Sequence, residues 1–396
     1  MQQPLYLLFV DLTAAFDHIP RQWLFKSIRL RFSTNQSIRM IDILERLYEN
    51  TTLTYDEADT TFKTTSGVRQ GGPESPFLFT LYIDYVMRVF IDKCSSDDVI
   101  NFFEYKYRLH CRTFTREDRV NMRNENTQTW GSSTLPWSGY ADDLVLFLTE
   151  QLGLSNATLL LNEIFNKFGL TVNKLKTETM ILNSPDISEQ SIVTLQNVKL
   201  NNIAVFKYLG SYVDSAQPNT GDSEINHRIQ AAVCKFAELS YLLQNFHIHL
   251  RTRVKFLDSF VRSRLTYGCQ NWNLTTNQYD RLDVTYRRFL RRMIRGGFRY
   301  VDENANDFRL VITNDRLHNV CGTTDVSEFI KHQQNSYASH IIRMSIDRGV
   351  KKLMFNDDTY VKKGRSQKTL LEQVIGNNNV TLDVYCNNAM KKKLGN

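Results

Sequence analysis

Leu5-Tyr6-Leu7-Leu8-Phe9-Val10 is an unbroken apolar run that stops at an acid, Asp11, and a second run, Leu144–Leu148, directly follows Asp142 and Asp143. Each run reads as a buried strand. An ionised carboxylate beside a core is costly unless it is paired or holds a metal. If the two strands are neighbours in one sheet, their carboxylates converge and can hold hard cations through oxygen ligands. Two Mg²⁺ ions roughly 3.5–4 Å apart support phosphoryl transfer by activating an attacking oxygen and stabilising a leaving one. A second reading of the same residues, an acid capping a strand and an acidic turn, stays open at this stage.

The 396 residues are ample for a real core and suit two or three domains. Hydrophobic residues make up 42% and charged residues 23%, a globular rather than a disordered composition. The net charge of +7 favours a polyanionic partner only weakly, so its placement matters more than its size. Cysteines 94, 111, 234, 269, 321 and 386 are scattered without a C-x-x-C, which argues against a disulfide framework or zinc site and for a reducing compartment. No apolar run approaches the roughly 20 residues that span a bilayer, and no signal peptide is evident. The expectation is an intracellular protein, in nucleus or cytoplasm, with no membrane partner.

The first half alternates helices and strands. Leu24 and Ile28 mark one helix; Met40, Ile41, Leu44, Leu47 and Tyr48 mark another; the Thr-rich stretch 51–66 suggests a hairpin. Ser75 fits an N-cap with Pro76 at the first helical position, ahead of a stripe of Phe77, Leu81, Tyr85 and Val89. Residues 100–137 lack periodicity and read as an insertion with some strand. Tyr140-Ala141-Asp142-Asp143 reads as a tight hairpin turn. Leu161, Ile164, Phe165 and Phe168 form a helix stopped by Gly169, and short strands are expected at 178–182 and 203–213. From about 216 the pattern is all helical, with stripes Ile225, Ile229, Val233, Phe236, Leu243 and Tyr279, Leu282, Tyr286, Phe289, Met293; beyond about 346 a loose Lys- and Asn-rich tail is expected.

Between 281 and 299 there are seven arginines against Asp283. Helical spacing groups Arg288, Arg291, Arg292 and Arg295 on one side, a stripe that can follow a phosphate backbone without base specificity. Together with the acids, the pattern points to metal-dependent phosphoryl transfer on nucleic acid.

Five segments carry a more specific resemblance. Tyr140-Ala141-Asp142-Asp143 with Leu144-Val145-Leu146 resembles the motif C hairpin of reverse transcriptases, and Phe9-Val10-Asp11-Leu12-Thr13-Ala14-Ala15-Phe16-Asp17 resembles motif A. Gly67 to Pro76 resembles motif B, Gly169 to Glu178 motif D, and Phe206-Lys207-Tyr208-Leu209-Gly210 the motif E primer grip. They occur in the family's order. The spacing, the Lys-Thr-Glu after motif D and the Tyr-Leu-Gly are similar to those of LINE-like, non-long-terminal-repeat retrotransposons, and a weaker likeness runs through Leu265-Thr266-Tyr267-Gly268-Cys269.

The resemblance implies an α+β palm over 1–215, an antiparallel sheet with helices on one face and its fingers largely missing. An all-α thumb would follow over 216–300 and a helical region with a loose basic tail over 301–396. It implies an RNA-directed DNA polymerase that extends a DNA primer on an RNA template with deoxynucleoside triphosphates and two Mg²⁺ ions. Asp11, Asp142 and Asp143 would be metal ligands, and Lys176 the acid that protonates departing pyrophosphate. Phe16 would clash with a 2′-hydroxyl, the group that separates RNA from DNA. Gln70 and Gly71 would lie along the nascent base pair, and Tyr208, Leu209 and Gly210 would press the primer end toward the metals. Glu74 departs from the small residue usual in the family and puts a negative charge near the template groove. Two other readings remain: a maturase-like cellular enzyme with the same palm, and a truncated, non-catalytic nucleic-acid-binding remnant.

Overall fold

A computed structural model describes residues 4–49, 51–55, 60–96, 99–109, 113–114, 118, 130–183, 193–216, 221–294, 299–302, 307–310, 312–356 and 369–391. The described residues are mixed α/β and mostly helical, and the chain divides into two compact units. One holds residues 1–104 and 134–209; the other holds 105–133 and 210–396.

The first unit is built on a five-stranded sheet with the order Asn201–Asn202, Glu178–Leu182, Leu5–Val10, Asp143–Leu148, Trp137–Tyr140. Leu5–Val10 lies at its centre, antiparallel to both neighbours. The sheet is antiparallel except at the Asn201–Asn202 edge, which pairs parallel. Being central explains the unbroken apolar run: alternate residues face opposite sides and both sides are covered. Leu8, Val10, Leu144 and Leu146 join the helices Arg21–Arg31, Ser75–Cys94 and Gln151–Lys167 in one core. On the opposite side Leu7, Phe9 and Val145 are also buried, and the Phe9 ring stacks on Phe206 at 3.8 Å.

Several local expectations need correction. The helix Ser75–Cys94 takes Glu74, not Ser75, as its N-cap, so it starts one residue earlier than expected. Its buried side comprises Leu78, Phe79, Tyr82, Ile83, Val86, Met87 and Phe90, whereas Phe77 is exposed. Leu81, Tyr85 and Val89 of the expected stripe are partly buried against the same core, so the stripe marks the margin of the packed side rather than its centre. In the helix Asn35–Glu49 only Ile41 and Tyr48 are buried, and Met40 and Leu47 face out.

The second unit is helical, with Asp222–Glu238, Leu250–Phe256, Thr276–Ile294, Asn314–Cys321 and Val326–Ile342 around a core that includes Phe236, Leu257, Tyr286 and Phe289. It is not all helix: Arg299–Asp302 pairs antiparallel with Asp307–Leu310. Val233 faces outward although it fits the apolar stripe. Beyond 346, where a loose tail was expected, the described residues form helices. Helices Gly349–Met354, Leu370–Asn378 and Leu382–Lys391 bury Phe355, Val374, Tyr385 and Cys386 together with Leu109 and Phe114. Lys351 is fully buried there, its ammonium donating to the carbonyls of Thr113 and Met344, both at 2.7 Å. Five cysteines among the described residues are free thiols. No helix of the described residues is long and apolar enough to cross a membrane.

Candidate active site

The register pairs Val10 with Leu144, so one step further brings Asp11 level with Asp143 at the ends of two adjacent strands. The Trp137–Tyr140 and Asp143–Leu148 strands are joined by the two residues Ala141 and Asp142, with Tyr140 opposite Asp143. Ala141 takes a left-handed φ of 55° to close this turn. Short hairpin turns require positive φ, which costs a residue with a Cβ, so the surrounding pairs must hold it. The sheet therefore brings the three acids together. Burial pushes the Asp143 carboxyl above the usual range, and the neighbouring charges of Asp142 and Asp11 add to the shift. Among the described residues no three His, Cys, Asp or Glu side chains converge tightly enough to ligate one ion as they stand. The donor set itself, carboxylate oxygens alone with an excess of like charge, is that of a hard divalent cation.

Residues 171–177 run beside Asp11. The amide of Thr13 donates to Thr171 O at 2.9 Å, that of Asn173 to Asp11 O at 2.8 Å, and Leu12 bridges Val172. The Asp11 amide donates to Thr177 Oγ1 at 3.4 Å. This docking holds Lys176 with its Nζ 4.0 Å from Asp11 Oδ2, its side chain otherwise exposed. Across the sheet Tyr208 donates its hydroxyl to the Asp143 carbonyl at 3.3 Å. Burial and the Asp143 charge raise the Tyr208 pKa, against an opposing hydrogen bond with Ser138. Leu209 is partly exposed with φ 47°. Gly210 falls in the second unit, where its φ is +82° and a Cβ would stand 3.1 Å from the Tyr267 ring.

A cavity of about 490 Å³ opens next to Asp142 and is lined by Phe16, Asp17, Gln70, Gly71 and Gly72, among others. Phe16 stacks on Phe79 with centroids 4.0 Å apart and rings 11° from parallel. Gly71 has φ +80°, which only glycine takes without strain, and nothing lies within 4 Å of where its Cβ would be. Its face to the cavity is open.

The loop 66–72 is locked to the motif A turn through the main chain. Gly67 N donates to Ile19 O at 2.8 Å, Val68 N to Phe16 O at 2.9 Å, and Ser66 Oγ to Asp17 O at 3.1 Å. At Gly67, with φ +76°, a Cβ would come within 2.7 Å of Asp17 O. The Arg21 guanidinium ties the rear of this loop down, donating to Gly67 O, Tyr48 O, Thr64 O and the hydroxyls of Thr51 and Thr64 at 2.6–3.0 Å. The Tyr48 hydroxyl donates to Glu74 Oε1 at 3.1 Å and accepts from the Arg69 amide at 3.3 Å. Glu74 is thus turned onto a buried tyrosine, which accounts for an acid at this position.

The arginine helix Thr276–Ile294 is less free than its sequence suggests. Arg281 pairs with Asp222 and Arg287 with Asp325. Arg291 is half-buried and donates to Asn314 Oδ1 at 2.6 Å. Arg288 and Arg292 are exposed, the latter also lying over the Phe236 ring. Arg295 lies outside the described residues.

Arg21, Tyr48, Phe79 and the Asp17–Gln70 contact were not anticipated from sequence. A Phe at 79 among many apolar residues, or an Arg after a proline, carries no local signal of such a role.

A model of the family described as reverse transcriptase (RNA-dependent DNA polymerase) matches residues 1–213. A putative uncharacterized transposon-derived protein of Caenorhabditis elegans is 24% identical over 208 residues, 52% of this chain and 70% of that protein. Among solved structures, apo telomerase from Candida tropicalis matches with a TM-score of 0.39 and 13% identity over 74% of this chain and 42% of its own. Telomerase from Candida albicans in complex with a TWJ fragment of telomeric RNA matches with a TM-score of 0.35 and 11% identity, over 84% of this chain and 46% of its own. The chain thus spans less than half the length of these two structures. With more than half of its residues matched by the family model, the chain belongs to the reverse transcriptase family.

Proposed function

We propose that this chain is the palm and thumb of an RNA-directed DNA polymerase from a non-long-terminal-repeat retrotransposon, extending a DNA primer on an RNA template by two-metal nucleotidyl transfer. The observation that carries this reading is the meeting of Asp11, Asp142 and Asp143 at adjacent strand ends, beside a cavity lined by Phe16, Gln70 and Gly71. The transposon-derived relative supports the retrotransposon origin.

Asp11, Asp142 and Asp143 would hold two Mg²⁺ ions, which supply charge neutralisation for the attacking and leaving oxygens when bound. Phe16, backed by Phe79, would meet the sugar of a nucleotide in the cavity and exclude a 2′-hydroxyl. Gly71 leaves room for the nascent base pair. Lys176 stands near enough to Asp11 to donate a proton on the leaving-group side. Tyr208, anchored to the Asp143 main chain, would set the height of the primer end, with Leu209 and Gly210 completing the grip. Arg288 and Arg292 are free to meet phosphates of the template–primer. Arg291 spends a donor on Asn314.

Primer extension on an RNA template with Mg²⁺ and deoxynucleotides, comparing wild type with Asp142→Ala, tests the proposal. Extension abolished by the substitution supports it. No extension by the wild type, with salt-dependent RNA binding unchanged by Asp142→Ala, would instead identify a non-catalytic nucleic-acid-binding remnant.

A further inference from the structure

Asp17 makes two separate sets of contacts. Its main chain belongs to the loop framework: the carbonyl accepts from Ser66 Oγ and lies against Gly67, and the amide donates to Ala14 O at 3.0 Å. Its side chain does something else. Oδ1 accepts from Gln70 Nε2 at 3.0 Å, and both side chains line the cavity beside Phe16 and Asp142.

We propose that Asp17 is a positioning residue that sets which end of the Gln70 amide faces the cavity, presenting the Gln70 carbonyl oxygen as an acceptor to a deoxynucleotide bound there. This rests on the polymerase reading above.

A glutamine amide has a donor end and an acceptor end of almost the same shape, so its orientation follows from its partner. An ionised carboxylate has only acceptors to offer. Asp17 therefore takes the amide nitrogen and leaves the oxygen for the cavity. An asparagine at 17 would offer both ends and lose the preference. The contact is exposed before a substrate is seated, and such hydrogen bonds contribute modestly in water. Filling the cavity with a nucleotide displaces that water and lowers the local dielectric, so a wrongly turned amide then sets two donors against each other. The effect therefore belongs to nucleotide binding more than to folding. Since the main-chain contacts of Asp17 do not involve its carboxylate, a side-chain change leaves the loop framework in place.

The test uses a four-protein cycle in the full chain: wild type, Asp17→Asn, Gln70→Glu and the double variant. Steady-state single-nucleotide incorporation and equilibrium binding of deoxynucleoside triphosphate with Mg²⁺ are measured on each. Asp17→Asn is expected to raise KM and Kd for all four nucleotides about tenfold, with kcat within about twofold. Gln70→Glu places two carboxylates in contact and is expected to weaken binding further. In the double variant the new amide at 17 donates to the new carboxylate at 70, which still presents an acceptor, and binding should return to within about threefold of wild type. Melting temperatures within a few degrees across the cycle would show that the fold is intact. Equal losses in kcat and KM, an unchanged KM in Asp17→Asn, or a double variant no better than Gln70→Glu would overturn the proposal. Absence of extension by the wild type counts against the polymerase reading alone, because the order of nucleotide affinities across the cycle still decides this one.

Discussion

Phe16 and Phe79 lie ring on ring, 4.0 Å between centroids and 11° from parallel, so the residue facing the cavity is backed by a fully buried aromatic from a long helix. If Phe16 selects the sugar, as proposed above, it must not yield, and the stacked Phe79 ring would supply that resistance. Phe16→Ala is expected to admit ribonucleotides, raising the ratio of ribonucleotide to deoxynucleotide incorporation by one to two orders of magnitude. Phe79→Leu keeps an apolar filling but leaves part of the ring's volume empty, and should relax the same ratio by a smaller factor. A change in overall rate without a change in the ratio would separate packing from selection and refute the backing role.

Gly67 joins the motif B loop to the motif A turn at a left-handed φ where a Cβ would stand 2.7 Å from the Asp17 carbonyl. Gly67→Ala combines backbone strain with a clash against main chain, and each such penalty runs about 1–3 kcal/mol. Expected is a melting temperature several degrees below wild type, measured by thermal denaturation. Gly71→Ala meets no atom and bears the φ penalty alone, so it should lose less stability.

Burial pushes the Lys351 ammonium down to about 8 from 10.5, with Asp118 opposing the shift. Below about 8 the folded protein bears the whole cost of the buried charge. Between about 8 and 10.5 the unfolded chain binds more protons than the folded one, so stability rises with pH through that window. Lys351→Met removes this dependence and leaves the carbonyls of Thr113 and Met344 without their donor, each costing about 1–3 kcal/mol. Unfolding in denaturant at pH 7 and at pH 9.5 should show a wild-type advantage that widens at the higher pH. A gap that narrows would contradict the burial argument.

Arg288 and Arg292 are exposed while Arg291 is half-buried and bonded to Asn314. If the exposed pair contacts phosphates, Arg288→Ala and Arg292→Ala should each lower the slope of log affinity against log salt by roughly 0.7–0.9, with little change in sequence preference. Arg291→Ala should leave that slope unchanged. Fluorescence anisotropy on an RNA–DNA hybrid at several salt concentrations measures all three.

The strand pattern and the acids could be read from the sequence because each is local: an apolar run, an acid at its end, a two-residue turn. The meeting of Asp11 with Asp143 needed only the guess that the two runs are neighbours, and the register Val10–Leu144 provides it. Arg21 could not be found that way. Its partners Tyr48, Thr51, Thr64 and Gly67 offer mainly carbonyls and hydroxyls, which every chain has, and they come together only when the loop has closed. The ion pairs of two arginines beside the stripe were hidden for a related reason. Counting charges within 281–299 cannot reveal that Asp222 and Asp325 neutralise Arg281 and Arg287 from outside that interval. The most deeply buried residues of Ser75–Cys94 were not singled out because apolar residues occupy more than one side of that helix, which leaves spacing little contrast to read.

The framework of the cavity is held by main-chain hydrogen bonds, Gly67 to Ile19 and Val68 to Phe16. Replacing the Phe16, Asp17 or Gln70 side chain deletes none of those bonds. A combinatorial library varied at these positions should therefore yield a high proportion of folded members. Laboratory selection for altered sugar or base acceptance can then proceed without a parallel search for stabilising changes.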